Sequence, residues 1–415
     1  MPRLGLVALL VHFSVVHCAA AIYYVAADGR DSSHGSSTRP FRTVMRGMQA
    51  ANAGDTVIVR DGTYGHEGAV TGGDENQDNH SPVVLRKSGR PDAWITLRAE
   101  RKWGAVLDCE MRCDAYIDLF NASYIVIEGF VITRGFKEGI HSNDAAHHIT
   151  IRGNRIEHIA NRPSSTSLGL SGMYTNQACH DFIVDGNVFH DIGRSNPSQL
   201  DHALYLHGSD ITVANNVFYN IRHGWSIQTA EGLHGALIAH NVFAFENTPG
   251  KPGQIMLWGR QSNLIVRDNI FYGAEKFALT RYQASISFCS IDHNMIYGAT
   301  APQVMMDASG CSLHDNRIGV DPLFVNTARE PYDFHLRADS PAIGAGAATS
   351  ISIDFDGLTR GSSHPDIGAF GFHTKSNRGR ADPMKSGLGI QSPHGSNTLS
   401  SLGHRHSAFH LQDQP

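Results

Sequence analysis

The chain carries little charge, and its positive charges are not in excess. Of 415 residues 18% are charged, with 34 Lys and Arg against 39 Asp and Glu, which gives a formal net charge of -5. A protein that neutralises phosphates needs a basic surplus, so this balance argues against a nucleic-acid partner. Beyond residue 21 the sequence has no apolar run long enough to cross a membrane. We therefore expect a globular protein with no membrane span.

Several catalytic motifs are also missing from the sequence. It has no Gly-x-Ser-x-Gly phrase, no phosphate-binding loop and no recognised zinc-ligand spacing. These absences disfavour serine hydrolases of the nucleophile-elbow type, nucleotide-dependent enzymes and zinc-motif proteins.

The first 21 residues, MPRLGLVALLVHFSVVHCAAA, combine a basic residue, an apolar stretch and small residues at the end. That order is typical of a secretory signal peptide. We predict a signal peptide at 1–21, cleaved near Ala20 or Ala21, and secretion to an extracellular or periplasmic space.

Asparagine recurs once per short segment through the middle of the chain, in phrases such as DGNVF and DNIF. The seven positions are Asn154, Asn187, Asn216, Asn241, Asn269, Asn294 and Asn316. Subtraction gives spacings of 33, 29, 25, 28, 25 and 22 residues, which fit coils of a parallel β-solenoid with loops of variable length. An asparagine at a tight bend tolerates left-handed geometry and can hydrogen-bond along its own column. We predict a structural asparagine ladder, with Phe130 at the same position one coil earlier.

Apolar residues keep a fixed register around these asparagines, as Phe182, Val184 and Phe189 do around Asn187. Alternate residues of a strand face one side, so stacked coils would turn these positions into core columns. The predicted fold class is all-β, a single-stranded right-handed parallel β-helix (solenoid), with the domain at 22–373.

The two flanks of the repeat differ from it. Apolar Phe41, Val44 and Met48 predict a short amphipathic helix, an N-terminal cap over the open edge of the first coil. Residues 374–415 are rich in Ser, Gly, His and Asn, a composition that predicts a disordered C-terminal tail.

Five cysteines remain after the predicted signal peptide. Cys289 and Cys311 share one position on successive coils, where a strand spacing of roughly 4.8 Å suits either a disulfide or two stacked thiols. Cys109 and Cys113 could close a small loop, which leaves Cys179 alone.

The phrases YYVAADGRDSSHGSSTRPFRTV, AGDTVIVRDGTY and FHLRADSPAIGAG resemble the terminal phrases of the pectate-lyase-like superfamily of β-helix proteins, over roughly Ile22 to Phe372. That superfamily includes polysaccharide lyases, glycoside hydrolases, uronate epimerases, methylesterases and noncatalytic adhesins. The resemblance implies the fold and a polysaccharide partner, often an acidic one, and leaves the reaction open. We expect a monomer.

The longest intervals of the repeat add loops at 161–170, 193–200 and 247–253, which predicts a cleft on the adjoining strands. Alternation in those strands sends aromatic and polar side chains outward, a surface that suits sugars because rings cover apolar sugar faces while polar groups pair with hydroxyls. The predicted substrate-binding residues are His141, Asn143, Tyr174, Asn176, Trp225, Gln228, Trp258, Arg260, Arg281 and Tyr282.

Two neighbouring segments, QLDHALYLHG and NIRHGWSIQ, concentrate titratable side chains. Eliminative cleavage of a uronate polymer needs a group that neutralises the carboxylate, a base for the C5 proton and an acid for the leaving oxygen. The predicted catalytic residues are His202, Tyr205, His207, Arg222 and His223. Structural alternatives stay open for four of these residues. His202 could cap a turn, Trp225 could belong to the edge of the core, and Arg260 and Arg281 could be solvated strand ends.

The function predicted is a secreted polysaccharide lyase that cleaves a uronic-acid-containing polysaccharide by β-elimination. The alternatives are a uronate C5-epimerase, since the Asp201-His202 phrase distantly resembles alginate C5-epimerases, and a noncatalytic glycan-binding β-helix protein. The separated aspartates and the Gly-His-Gly and Arg-x-Lys phrases of polygalacturonases are absent. No cofactor is certain. The acidic and amide-rich loop from Gly72 to His80 makes Ca²⁺ a candidate, although such a loop is more often solvated surface.

Overall fold

The computed structural model describes residues 20–66, 81–162, 169–196, 200–245, 253–274, 276–299, 304–305, 307–361 and 363–373. The predicted signal peptide up to residue 19, the candidate calcium loop at 72–80 and the tail at 374–415 lie outside the described residues, and they stay predictions. Within those ranges, no helix has the length and apolar character that a membrane crossing requires.

Strands make up almost all of the regular structure. The first part of the chain contains β1 (Ile22–Val25), α1 (Val44–Ala50), β2 (Thr56–Val59), β3 (Gly62–Tyr64), β4 (Val83–Leu85), β5 (Ile95–Ala99), β6 (Ala105–Asp108), β7 (Ile117–Phe120), β8 (Ser123–Glu128) and β9 (Val131–Thr133). The middle contains β10 (Glu138–Asn143), β11 (His147–Arg152), β12 (Arg155–Glu157), β13 (Leu170–Thr175), β14 (His180–Asp185), β15 (Val188–Ile192), β16 (Asp201–Leu206), β17 (Ser209–Ala214), β18 (Val217–Ile221), β19 (Ile227–Thr229), β20 (Leu237–Ala239) and β21 (Val242–Ala244). The last part contains β22 (Ile255–Arg267), β23 (Ile270–Tyr272), β24 (Leu279–Asp292), β25 (Met295–Tyr297), β26 (Cys311–His314), β27 (Arg317–Ile318), β28 (Phe324–Asn326) and β29 (Asp333–Leu336).

The strands stack into three parallel ladders, and each full coil contributes one strand to each ladder in turn. The first ladder runs β4, β7, β10, β13, β16, β19, β22 and β24. The second runs β1, β2, β5, β8, β11, β14, β17, β20, β22, β24 and β26. The third is a ten-stranded sheet from β3 to β27. Because β22 and β24 are long enough to take part in both, the first two ladders merge at that end. The predicted parallel β-helix is confirmed.

The asparagine ladder is present between the second and third ladders. The side-chain oxygen of Asn241 accepts the backbone N–H of Asn216 at 2.9 Å, and its Nδ2 donates to Val213 O at 2.9 Å and to Asn269 Oδ1 at 3.0 Å. The chain of bonds extends from the backbone N–H of Phe130 to the side chain of Asn316. The left-handed backbone, however, belongs to the residue before each asparagine, such as His240 with a φ of 53°. The residue before each asparagine therefore forms the bend, and the asparagine side chain makes hydrogen bonds to the backbone there.

The core follows the predicted columns. Phe189, Phe218, Phe243 and Phe271 form a stack with ring centroids 5.1, 4.9 and 4.9 Å apart. Disulfides join Cys289 to Cys311 across two coils, with Cα atoms 4.3 Å apart, and Cys109 to Cys113, with Cα atoms 5.2 Å apart. Cys179 is a buried free thiol.

Two further elements cover parts of the solenoid. Helix α1 begins after Thr43, whose hydroxyl accepts the backbone N–H of Arg46, and it buries Val44 and Met48 in the main core. The helix is where the sequence predicts it, and its role as a cap stays a prediction. At the other end of the chain, Phe324, Phe334 and Ile367 pack on the outer face of the third ladder. Most of the predicted site residues lie on or beside the strands of the first ladder.

Candidate functional site

The outer face of the first ladder carries a column of side chains that are polar or aromatic at every position but one, Met256. Register pairs each residue with its neighbour on the next coil, in the order Asp118, His141, Tyr174, Tyr205, Gln228, Met256 and Thr280. A second column, two residues further along each strand, holds Asn143 beside Phe120, and Trp258 beside Tyr282. Asn176 and His207 come directly after the last residues of β13 and β16. Alternation within short strands therefore places these predicted residues on one surface.

The rings at the centre of this surface touch one another. Tyr205 lies 5.0 Å from His207 and 5.8 Å from Tyr174, measured between ring centroids. Tyr174 lies 5.6 Å from His207 and 5.1 Å from His141. We call Tyr174, Tyr205 and His207 the aromatic centre of the face.

Burial raises the pKa values of the two tyrosines of the aromatic centre and lowers the pKa of its histidine. Burial raises the pKa of Tyr205 above its ordinary value of 10.0, although a hydrogen bond with Gln228 acts against it. Burial likewise raises the pKa of Tyr174, and the charge of Glu138 adds to the rise. Burial lowers the pKa of His207 below 6.5, opposed by a backbone hydrogen bond of Glu231. At neutral pH the phenols therefore hold their protons and the imidazole is uncharged.

One nitrogen of the His207 ring has no partner in the part of the chain that the structure describes. Its Nδ1 is buried and has no hydrogen-bond partner among the described residues. The lone pair of that nitrogen is therefore not used by a described residue, and a substrate held against the ring could give its proton there. The backbone of His207 is fixed independently, because its N–H donates to the hydroxyl of Thr175 at 2.9 Å and its carbonyl accepts from that hydroxyl at 2.9 Å.

His202 and Trp225 lie beneath the face instead of on it. Both are buried, with 2% and 8% of their surface exposed, and their rings stack at 5.8 Å. The Nδ1 of His202 accepts the backbone N–H of Trp225 at 3.2 Å. The neighbouring Asp201 is fully buried against Arg194, with the closest contact at 2.7 Å. This packing supports the structural alternative for His202 and Trp225, although the His202 ring still lies 5.5 Å from that of Tyr205.

The predicted Arg222 and His223 lie in the turn between the third and first ladders. A guanidinium nitrogen of Arg222 donates to Asn161 Oδ1 at 2.8 Å, and another lies 3.7 Å from Asp191 Oδ1. His223 has a φ of 59°, so it forms the left-handed bend of that turn. The structure therefore places both at the edge of the face and directs Arg222 toward the loop that contains Asn161.

The two distal arginines have different surroundings. Arg260 is exposed and pairs with Glu231, whose Oε1 lies 2.5 Å from its Nε. Arg281 is in register with core-facing Leu257, and its Nε donates to Ala284 O at 2.9 Å and its Nη1 to Ser309 O at 2.6 Å. Arg260 is near the far end of the face, whereas Arg281 is held by backbone carbonyls and is not brought to it.

Two carboxylates on the face escaped the sequence analysis. Asp118 heads the column of His141 and accepts from Asn143 Nδ2 at 3.3 Å. An oxygen of Glu138 lies 3.5 Å from His141 Nδ1. The signal for Asp118 was available, since it is the polar residue between apolar Ile117 and Leu119 and so takes the outward position of its strand. Both are buried, with 1% and 9% of their surface exposed, and they contact the face through Asn143 and His141.

Comparison with known proteins agrees with this architecture. The family model described as Pel9A-like, right-handed β-helix region, matches residues 23–248, more than half of the chain. The chain therefore belongs to the Pel9A-like right-handed β-helix family. A solved glycoside hydrolase superposes with a TM-score of 0.51 at 9% identity, over 72% of this chain and 97% of that one. At that identity the likeness concerns the fold alone.

Other similar proteins are more distant in shape or cover less of the chain. The crystal structure of pectate lyase Pel9A has a TM-score of 0.44 and 18% identity, over 86% of this chain and 97% of that chain. An alginate lyase from Paenibacillus sp. str. FPU-7 has a TM-score of 0.40 and 16% identity, over 72% and 95%. The uncharacterized protein YwoF of Bacillus subtilis (strain 168) is 27% identical over 148 residues, 33% of this chain and 28% of that protein. The chain thus matches less than a third of the length of that curated relative.

Proposed function

We propose that the outer face of the first ladder binds an acidic polysaccharide and that the protein is a lyase that cleaves a uronic-acid-containing chain by β-elimination. The observation that carries the proposal is the pairing of Tyr205 with His207, two residues apart with ring centroids 5.0 Å apart and with pKa values moved to opposite sides of neutrality. A base that is neutral and an acid that keeps its proton are the two partners that elimination needs.

In the proposed reaction His207 takes the C5 proton of the uronate. The C–H electrons form the C4–C5 double bond, the bond from C4 to the glycosidic oxygen breaks, and Tyr205 donates its proton to that leaving oxygen. Transfer of the proton from His207 to the phenolate, directly or through water, restores both groups. No oxidant or other co-reactant is required.

The rest of the face would position the sugar. Rings of Tyr174, Trp258 and the exposed Tyr282 offer flat surfaces for the apolar faces of sugar rings. The amide of Gln228, beside Tyr205 in register, is a neutral donor for the uronate carboxylate. Arg260 could add positive charge further along, if the polymer displaces it from Glu231. Donors on the carboxylate stabilise the charge that develops when C5 loses its proton.

We also propose that the protein acts outside the cytoplasm. Two disulfides, Cys109–Cys113 and Cys289–Cys311, support this, because such bonds persist in oxidising compartments. Fractionation of the native host, followed by N-terminal sequencing of the mature chain, tests both the compartment and cleavage near Ala20 or Ala21.

The reaction is tested by incubating the protein with a panel of polyuronates, with and without added Ca²⁺. Unsaturated uronate is followed by its ultraviolet absorbance, and inversion at C5 is followed by NMR. The proposal predicts new absorbance and shorter chains. Inversion without absorbance would identify a C5-epimerase instead, and saturable binding with neither change would identify a glycan-binding protein. A requirement for Ca²⁺ would bring the loop at 72–80 back as its candidate site.

A further inference from the structure

Three histidines from two successive coils meet on the second ladder, away from the aromatic centre. His147 and His148 begin β11, and His180, which begins β14, is in register with His147. The rings of His147 and His180 stack at 4.6 Å with an angle of 3° between their planes, and the ring of His148 lies 5.0 Å from the first and 6.0 Å from the second. One ring nitrogen from each histidine lies within 4.8 Å of the other two.

The backbone explains why two consecutive histidines point the same way. In a regular strand they would face opposite sides of the sheet. His148 has a φ of 53°, and the residues at the same position on the neighbouring coils, Tyr124, Asp181 and Asp210, have φ values of 56°, 55° and 54°. This left-handed residue interrupts the alternation, so His147 and His148 are both half-exposed while Ile149 is buried. The bend recurs on successive coils, and on two of them it brings His147, His148 and His180 together.

A carboxylate and two aromatic rings complete the surroundings of the three histidines. The Oδ2 of Asp181 lies 2.7 Å from His180 Nδ1 and 3.6 Å from His148 Nδ1. A carboxylate on one ring nitrogen fixes the orientation of an imidazole and leaves the other nitrogen for a ligand. The ring of Tyr124 lies 4.6 Å from that of His148, and Trp94 lies 6.4 Å from it. The aromatic rings wall one side, and side-chain exposures of 36% for His148 and 40% for His180 leave the other side open to solvent.

The rings of His147 and His148 meet nitrogen to nitrogen. The Nδ1 atoms of His147 and His148 are 2.9 Å apart, a separation that accommodates one shared proton. Burial lowers the pKa of His147, and the neighbouring His180 and His148 lower it further. Neutral imidazole is the form that binds transition metals, because the metal takes the lone pair that a proton would occupy.

We propose that His147, His148 and His180 form a binding site for a divalent transition metal ion of the Zn²⁺ class, with Asp181 as a positioning residue. Tetrahedral Zn²⁺ with Zn–N bonds of about 2.0–2.1 Å requires ligand nitrogens a little over 3 Å apart, and the present nitrogens lie within 4.8 Å of one another, so binding requires the side chains to rotate inward. Three nitrogen ligands leave a fourth position for water. The donor set predicts that Cu²⁺ binds more tightly than Zn²⁺ or Ni²⁺, with Mn²⁺ weak and Ca²⁺ disfavoured. The site is independent of the proposed lyase reaction, and it would join two coils of the solenoid.

Zn²⁺ titration of the full chain after chelator dialysis, followed by calorimetry, tests the site. The C-terminal His404, His406 and His410, and the cluster of His293, His314 and Asp315, offer other donors. The readout is therefore the difference between the parent and its variants. His147→Gln and His180→Gln should each remove one Zn²⁺ equivalent or weaken it at least ~10-fold, and Asp181→Asn should weaken it about 10–100-fold. His234→Gln, on the same ladder but outside the cluster, is the matched control and should bind as the parent does.

A second measurement needs no histidine variant and so does not depend on how those variants fold. Cu²⁺ quenches nearby tryptophan emission, and Trp94 is close to His148. Stoichiometric Cu²⁺ should quench a component of the parent's fluorescence that is missing in Trp94→Phe. Equal ion counts and affinities in the parent, His147→Gln and His180→Gln, together with a Trp94 component untouched by saturating Cu²⁺, would overturn the proposal.

Discussion

Tyr205 and His207 present their rings 5.0 Å apart on the outer face of one coil, while Leu206 between them is fully buried in the core. The same alternation that anchors the strand thus delivers an acid and a base to one surface. The buried Leu206 anchors the strand between them, and the ring of Tyr174 contacts both.

The pH dependence of the proposed lyase follows from the directions of the two pKa shifts. A general base works above its pKa, so kcat/KM should rise through a midpoint below 6.5, the ordinary value for histidine. A general acid works below its pKa, so activity should fall only through a midpoint above 10.0. A pH profile of kcat/KM on a processed polyuronate checks both limbs. An acid limb with a midpoint clearly above 6.5 would contradict the role of His207.

The asparagine ladder should contribute measurably to the free energy of unfolding. Asn241 is fully buried, and replacement by Leu removes the acceptor of the Asn216 N–H and the donor to Val213 O. We expect Asn241→Leu to lower the free energy of unfolding by about 1–3 kcal/mol, because buried polar groups lose their partners. Denaturant unfolding measures the change, with exposed Asn52→Leu as the control. Equal stability of Asn241→Leu and the parent would argue against a structural ladder.

The disulfide between Cys289 and Cys311 closes a loop with a sequence separation of 22. Its removal should cost about 3 kcal/mol by the loop-entropy relation. Unreduced peptide mapping should recover the two cysteines as one linked species, and the double Ser variant should unfold at a lower denaturant concentration. Alkylation of both thiols in the folded, unreduced protein would show that the bond does not form.

The fold could be read from the sequence because its determinants repeat. The pattern of Asn187 and Phe189 recurs with its apolar neighbours on successive coils, and each repeat predicts the same side-chain direction and the same strand register. Alternation then places Tyr174, Tyr205 and Gln228 in one column, as the pairing of β13, β16 and β19 confirms.

Residues at bends could not be read in the same way. Arg222 contacts Asn161 because the chain leaves the strand geometry near it, so alternation no longer gives its direction. Arg281 lies within β24 between outward Thr280 and Tyr282, so alternation itself turns it away from the face, where it donates to backbone carbonyls. The cluster of His147, His148 and His180 was missed for a related reason. Its ligands come from two coils, and the left-handed His148 breaks the alternation on which the sequence reading relied.

The central claim is that Tyr205 and His207 carry the proton transfers of elimination. Its most direct test is the turnover of Tyr205→Phe and His207→Gln on a polyuronate that the parent cleaves. The controls are Tyr272→Phe and His158→Gln, half-buried residues of the third-ladder side. Positioned acid–base groups contribute about 10²–10⁴-fold, so both site variants should lose turnover by that order while the melting temperature stays close to the parent's and the controls keep full activity. Parent-like turnover in both site variants would contradict the claim and move the chemistry elsewhere on the solenoid.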